Sequence, residues 1–231
     1  MGVGAGLQRG LTTAVSMAAL LLIPAALAPQ HEQIWARALL LTAVFAVIAI
    51  GGDMALAAFR PASFEVRRGR KTRGQPWIDV IGLLAYLAYL LAWLVFVPLD
   101  AGGLHLLPAP PDWLSILGGV AVIVGGCVSK LAVWQNRFAS PNIEDQSDRG
   151  QQVVDTGLYG LIRHPLYAGN LLLFAGIALW MGSTAALIGV SVHLAATLAR
   201  IGVEERFLKV HLPAYGAYAS RVRARLVPFL I

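Results

Sequence analysis

The sequence predicts an all-α integral membrane protein of about six transmembrane helices, the last two forming a helical hairpin, with a C-terminal interfacial amphipathic helix. Three observations carry this. Hydrophobic residues make up 58% of the 231 positions and charged residues 13%, and the mean hydropathy is +0.69, well outside the range of soluble domains. Apolar runs recur at the length of about 20 residues that crossing a bilayer requires. The polar residues are confined to a few loops and to the second half of the chain.

Residues 11–28, 38–58, 77–98 and 113–133 are the four clearest spans. The run from Leu166 to Ala199 is long enough for two more, with Gly182-Ser183-Thr184 marking a tight turn between them. Arg9 before an apolar core and Ala26-Leu27-Ala28 after it resemble a secretory signal. Pro29 directly behind, and the length of the core, favour a retained span.

Short loops rich in Lys and Arg stay cytoplasmic. The loop from Arg60 to Arg73 carries Arg60, Arg67, Arg68, Arg70, Lys71 and Arg73, whereas the loop from Asp100 to Asp112 has no basic residue. The first is therefore expected inside and the second outside, which puts both termini and the polar stretch 134–165 in the cytoplasm. The net charge of +6 gathers beside the spans, where anionic lipid headgroups account for it, and nucleic acid is not an expected partner. The single cysteine, Cys127, excludes intrachain disulfides and thiolate metal clusters, and reads as a small buried apolar residue.

The chain divides into 1–133, four spans joined by short loops, and 134–231, which holds nearly all the informative polar residues. The segment "WQNRFASPNIEDQSDRGQQVVDTG" is too long and polar for a simple turn. Its continuation "VVDTGLYGLI" mixes β-branched and aromatic residues with glycine and is expected to be ordered against the helices. In the tail, Phe207, Val210 and Ala214 share a helical face among Arg206, Lys209, Arg221, Arg223 and Arg225, which predicts an interfacial amphipathic helix broken or bent near Pro213.

His164 precedes Pro165, and proline is well suited to the first helical position, so the pair marks a helix start. Helix N-termini attract carboxylates and phosphates. With Arg163 and His164 beside it, this one is a candidate anion site. The competing reading is that Arg163 snorkels to headgroups and His164 bonds locally. Arg200 and Glu204 lie four apart, on one face of the returning helix, with Glu205 adjacent. A hairpin brings them back to the His164 region, unless Arg200 and Glu204 simply pair with each other.

"VVDTGLYGLIRHPLYAGN", followed about thirty residues later by "RIGVEERFLKVHLPAYGAY", resembles the isoprenylcysteine carboxyl methyltransferase family and its phospholipid methyltransferase relatives, over roughly residues 134–228. The resemblance implies a catalytic region at 134–231 that binds S-adenosylmethionine where the cytoplasmic segment meets the hairpin. Carried over by position, His164, Pro165, Leu166 and Tyr167 would line the cofactor site, with Tyr159 upstream. Gln151, Gln152, Val153 and Val154 would form the stretch before it, and Glu144 an earlier polar contact. Glu204 corresponds to the cofactor-binding glutamate and Arg200 to the arginine that holds the acceptor carboxylate. Both are then candidates for the catalytic machinery, with Arg163 a second substrate-binding arginine. The family's acidic run is shortened here to Glu204-Glu205, and its Phe-Gly pair is replaced near Leu212-Pro213.

The resemblance therefore implies methyl transfer from S-adenosylmethionine to a lipophilic or small acceptor, with an isoprenylcysteine-type carboxylate the foremost candidate and an amine or thiol still open. Two other readings are an intramembrane nicotinamide-dependent reductase of the sterol reductase type and a non-enzymatic membrane assembly protein. Membrane lipids and the acceptor are the expected partners, and no obligate protein partner is evident. No spacing of His, Cys or carboxylates suggests a metal site. Asp53 is an intramembrane acid expected to pair with Arg60 or face the bundle interior. His193 reads as hydrogen-bonded packing, and His105 as an outer-loop residue.

Overall fold

The computed structural model describes residues 2–67 and 77–229. Arg68, Arg70, Lys71 and Arg73, on which much of the charge asymmetry rests, lie outside the described residues.

Among the described residues the chain is helical, with short π and 3₁₀ turns and no strand. Helix α1 (Val3–Leu27), α2 (His31–Phe59), α4 (Trp77–Leu99), α5 (Asp112–Gln135) and α7 (Thr184–His211) are long and apolar enough to cross a membrane. Helix α3 (Pro61–Arg67) is a short extension of α2. Helix α6 (Pro165–Met181) is apolar but has 17 residues. At about 1.5 Å per residue it spans about 26 Å, slightly less than the hydrocarbon core. The protein is thus an all-helical integral membrane protein whose span positions follow the apolar runs of the sequence.

Helix α6 begins with Pro165 at its first turn and ends at Gly182, whose φ of +85° is the left-handed closure that favours glycine. Ser183 then caps α7, its Oγ accepting from the Ala186 N–H at 3.0 Å and donating to the Asp100 carboxylate at 2.5 Å. Thr184 Oγ1 donates to the Pro108 carbonyl. The hairpin tip is thereby fixed to the 100–112 loop, on the face opposite His164.

Helices α5 and α6 pack backbone to backbone. Gly118 and Gly125 on one, and Gly169 and Gly176 on the other, each recur at seven residues. A Cβ on Gly125 would lie 2.6 Å from the Gly169 carbonyl oxygen, and one on Gly176 would lie 2.7 Å from that of Gly118. Small residues are what permit such approach between helices in lipid. The main apolar core lies between α1, α2, α4, α6 and α7, around Leu21, Val97, Ile177 and Met181.

The tail is broken near Pro213, as the sequence predicts. Helix α7 runs on to His211, the chain breaks over Leu212–Ala214, and α8 (Tyr215–Arg221) is only seven residues. Phe207 is half-buried and Val210 is 77% exposed. The buried tail residues are instead Tyr215, Tyr218 and Val222.

Cys127 is exposed on the outside of the bundle rather than buried. Asp53 faces the bundle interior, one of its two expected placements, and pairs there with Arg9 and Lys130, while Arg60 lies over the Trp134 ring. His193 is fully buried, yet among the described residues neither ring nitrogen has a hydrogen-bond partner. The ring is stacked on Phe174 and edged by Tyr86, Tyr89 and Trp93.

Candidate active site

The segment 136–164 has no long helix, but it is fixed at both ends. The Gln135 side chain accepts from the Leu158 N–H at 2.9 Å and fills the space beside Gly157. Tyr159 is buried, and its carbonyl accepts from the Tyr218 hydroxyl at 2.8 Å. The expectation of order around "VVDTGLYGLI" is met.

The tail closes over this segment through backbone bonds. The N–H groups of Arg163 and His164 donate to the carbonyls of Ala224 and Arg225, both at 2.9 Å. Arg163 Nε donates to Glu205 Oε1 at 2.8 Å, and its Nη1 donates to the carbonyls of Ala219, Val222 and Arg223. His164 Nε2 lies 3.1 Å from the same Glu205 oxygen, and Arg225 reaches the other. Arg163, read from sequence as a substrate-binding arginine, thus has its Nε and Nη1 engaged in clamping the tail. Glu205, read only as a neighbour of Glu204, is the acid that gathers three cations or potential cations. Buried charges persist when paired in this way.

Tyr167, in the first turn of α6, faces the opposite way along α7. Its hydroxyl donates to Glu204 Oε2 at 2.7 Å and accepts from Arg200 Nε at 2.9 Å. Arg200 also donates to the Pro141 carbonyl at 2.5 Å. The expected convergence of Arg200, Glu204 and the His164 region therefore occurs, with Tyr167 bridging the two charges rather than the two simply pairing.

Two cavities adjoin this bridge. A narrow polar one, about 110 Å³, is lined by Glu144, Gln151, Gln152, Val153, Val154, Tyr159, Arg163, His164, Leu166, Tyr167 and Glu204. Every residue carried over to a cofactor role lines it except Pro165, which is buried as the helix start. The second cavity is larger, about 620 Å³, mostly apolar, and lies among the spans. Arg200 lines the second and Glu204 the first, while Ser140, Leu166 and Tyr167 line both.

The polar cavity also contains residues that the sequence reading passed over. Gln146 is buried, with its Nε2 donating to the Phe138 carbonyl at 2.9 Å and its Oε1 without a partner among the described residues. The Tyr215 hydroxyl is likewise buried without a partner. Burial first, then the carboxylates of Glu205 and Glu204, raise its pKa far above the usual phenol value, so it remains a neutral donor. Burial likewise raises Tyr218 to about 12. Tyr215 stood within the quoted "PAYGAY", but nothing in the order of residues indicated that a seven-residue helix would fold it back over His164. Glu144 is buried, 3.8 Å from Arg149. Among the described residues no group of three or more His, Cys, Asp or Glu is placed to hold a metal ion.

Fold and site together define a polytopic helical membrane protein with a polar cavity and an apolar one meeting at Ser140, Leu166 and Tyr167. Residues 113–214, from α5 to the start of the tail, match the family model described as Phospholipid methyltransferase. The match falls on the region that carries the motifs of the resemblance read in the sequence. A solved structure of the eukaryotic intramembrane Ras methyltransferase, isoprenylcysteine carboxyl methyltransferase, is similar at 18% identity and a TM-score of 0.48, covering 84% of this chain and 75% of that one. No curated protein matches the chain at a significant level.

Proposed function

We propose that the chain moves a methyl group from S-adenosylmethionine, held in the polar cavity, to a lipophilic acceptor held in the apolar cavity, foremost a carboxylate of the isoprenylcysteine type. The observation that carries this reading is the position of Tyr167. It lines both cavities, and its hydroxyl lies between Arg200 on one side and Glu204 on the other.

The lining of the polar cavity carries groups suited to a nucleoside with a charged amino-acid arm. Gln146 Oε1 and the Tyr215 hydroxyl are buried polar atoms without a partner, and such atoms are costly unless a ligand satisfies them. Glu144 and Glu204 supply negative charge for an ammonium or sulfonium. The α6 N-terminus at Pro165 offers unpaired N–H groups to a carboxylate.

S-adenosylmethionine supplies an electrophilic methyl group on a positively charged sulfur. Its transfer to an anion removes opposite charges, so alignment contributes more than proton transfer. Arg200 holds and orients the acceptor carboxylate from the apolar side. Tyr167 fixes Arg200 relative to Glu204, and with Leu166 it forms the wall across which the two substrates meet. A carboxylate acceptor requires no general base. The basic loop of the sequence supports a cytoplasmic site, where the polar donor is available while a lipid-like acceptor enters among the spans.

Calorimetric titration of the purified protein with S-adenosylmethionine and with a nicotinamide cofactor tests this first. S-adenosylmethionine is expected to bind, with affinity reduced about tenfold or more in His164→Ala and Glu204→Gln, as for loss of a hydrogen bond to a charged group. Unaltered binding in both variants rejects the pocket, and nicotinamide binding without S-adenosylmethionine binding rejects the reaction. Labelled S-adenosylmethionine incubated with membrane extracts then identifies the acceptor.

A further inference from the structure

Beyond the bridge of Tyr167 and Arg200, the apolar cavity has a second polar level, about one helical turn further from the polar cavity. On α6 that level is Asn170, three residues after Tyr167, and on α7 it is Thr197, three residues before Arg200. The two helices of the hairpin run antiparallel, so both steps lead the same way, by about 4.5 Å at about 1.5 Å per residue. Asn170 and Thr197 line the apolar cavity and not the polar one.

The Asn170 amide is held in one sense. Ser129 of α5 donates from its Oγ to Asn170 Oδ1 at 2.9 Å, and it approaches the Leu166 carbonyl only at 3.5 Å. Ser129 is itself pressed against α6, where a Cβ on Gly169 would lie 2.5 Å from its Oγ. With the amide oxygen engaged, the Nδ2 hydrogens are the donors left to the cavity, and among the described residues they have no partner.

Thr197 is buried, at 8% exposure. A threonine within a helix often satisfies its hydroxyl on the carbonyl four residues back, as Thr12, Thr13 and Thr42 do. Among the described residues Thr197 makes no such bond. Polar groups unpaired in an apolar wall are costly unless a ligand supplies their partners. A tail of hydrocarbon alone would leave both of these unpaired.

We propose that Asn170 and Thr197 recognise a secondary amide lying between the acceptor's carboxylate and its apolar tail. Asn170 Nδ2 donates to the amide carbonyl, and the Thr197 hydroxyl accepts from the amide N–H. The chemical class is an N-acylated amino acid with a long acyl chain, whose acyl carbonyl lies three bonds from the carboxyl carbon. This keeps the amino-acid carboxylate of the proposed acceptor and specifies how the tail is attached, because a thioether at this level would be only a weak acceptor and no donor. The inference rests on reading the apolar cavity as the acceptor site. Asn170 and Thr197 determine specificity there and take no part in methyl transfer.

The test uses the purified full-length chain in neutral detergent, without S-adenosylmethionine, and three tritiated probes of equal length. These are N-hexadecanoylglycine, nonadecanoate, in which two methylenes replace the amide, and 4-oxononadecanoate, which keeps the carbonyl and lacks the N–H. N-hexadecanoylglycine is expected to bind the wild-type protein about tenfold more tightly than nonadecanoate, since losing the amide leaves buried groups unpaired. 4-Oxononadecanoate is expected to fall between them. Asn170→Leu is expected to bring 4-oxononadecanoate level with nonadecanoate, and Thr197→Val to bring N-hexadecanoylglycine level with 4-oxononadecanoate. Misfolding would weaken all three probes together, so the ranking within each variant separates recognition from structure, and the wild-type ranking stands whatever either variant does. Equal wild-type affinity for N-hexadecanoylglycine and nonadecanoate, or a carbonyl preference that Asn170→Leu leaves intact, overturns the proposal. Equal wild-type affinity for N-hexadecanoylglycine and 4-oxononadecanoate overturns the assignment to an amide. Failure of all three probes to bind removes the acceptor cavity itself. Failure of S-adenosylmethionine to bind, titrated separately, removes the methyl-transfer reading and leaves the probe ranking as measured.

Discussion

At Tyr167 a single hydroxyl links the two charged residues of the returning helix, and the clearest residue-scale prediction concerns its loss. Tyr167→Phe keeps the ring that separates the cavities but leaves Arg200 Nε and Glu204 Oε2 without their shared partner. Hydrogen bonds to charged groups contribute about 1.5–3 kcal/mol. Methyl transfer is expected to fall about 10- to 100-fold in kcat/KM, while S-adenosylmethionine affinity changes by less than about threefold. Steady-state kinetics with calorimetry on the same preparation checks both, and a variant that loses cofactor affinity in proportion to rate would place Tyr167 in the cofactor site alone. Much at this scale was legible in the sequence. The i, i+4 spacing of Arg200 and Glu204 and the Pro165 helix start were enough to predict that they converge. Glu205 was not legible in the same way, because its partners Arg163, His164 and Arg225 come from the chain's own tail, and no local periodicity reports how a tail folds back.

The elements show where composition determines packing and where it does not. The seven-residue glycine repeat on α5 and α6 sets the distance between the helices that carry the site. Gly125→Ala introduces a Cβ 2.6 Å from backbone atoms of α6, and overpacking of this kind typically costs about 1–3 kcal/mol. Gly51→Ala on α2 meets nothing within 4 Å and serves as the control. Thermal unfolding in detergent is expected to show Gly125→Ala clearly destabilised and Gly51→Ala unchanged or slightly stabilised, since alanine favours helix. On α7, His193 makes the opposite case. Its two nitrogens lack partners, and its ring lies 4.5 Å from Phe174 and 4.9 Å from both Trp93 and Tyr89. Replacing an unsatisfied polar group by an apolar one of similar shape is neutral or stabilising, so His193→Phe is expected to keep or raise the melting temperature, and a drop of several degrees would reveal a hydrogen bond to this ring. The sequence reading had given His193 a hydrogen-bonded role, because a histidine in a span signals polarity, whereas the aromatic box is assembled from α4 and α6 and is invisible along the chain.

At the scale of the whole molecule, the apolar runs determined the number and order of helices because hydrophobic length is a property of sequence alone. What they could not give is which polar residues meet across helices: Arg9, Asp53 and Lys130 are separated by 44 and 77 positions, and only the packing of α1, α2 and α5 joins them. Sidedness is the remaining global property, and the basic loop that begins at Arg60, with the lack of basic residues from Asp100 to Asp112, predicts it. The fold ties each face together internally, with Ser183 and Thr184 bonded to Asp100 and Pro108 on one side and the tail bonded to Arg163 and His164 on the other. Two positions therefore report the orientation of the entire site. In a Cys127→Ser background, Leu106→Cys marks the hairpin-tip face and Ser220→Cys the α8 face, both at exposed positions. A membrane-impermeant maleimide applied to intact cells is expected to label Leu106→Cys at once and Ser220→Cys only after permeabilisation. The reverse pattern would place His164, Tyr167 and Glu204 outside the cell, away from the cytoplasmic supply of S-adenosylmethionine, and would overturn the assignment of the polar cavity to that donor.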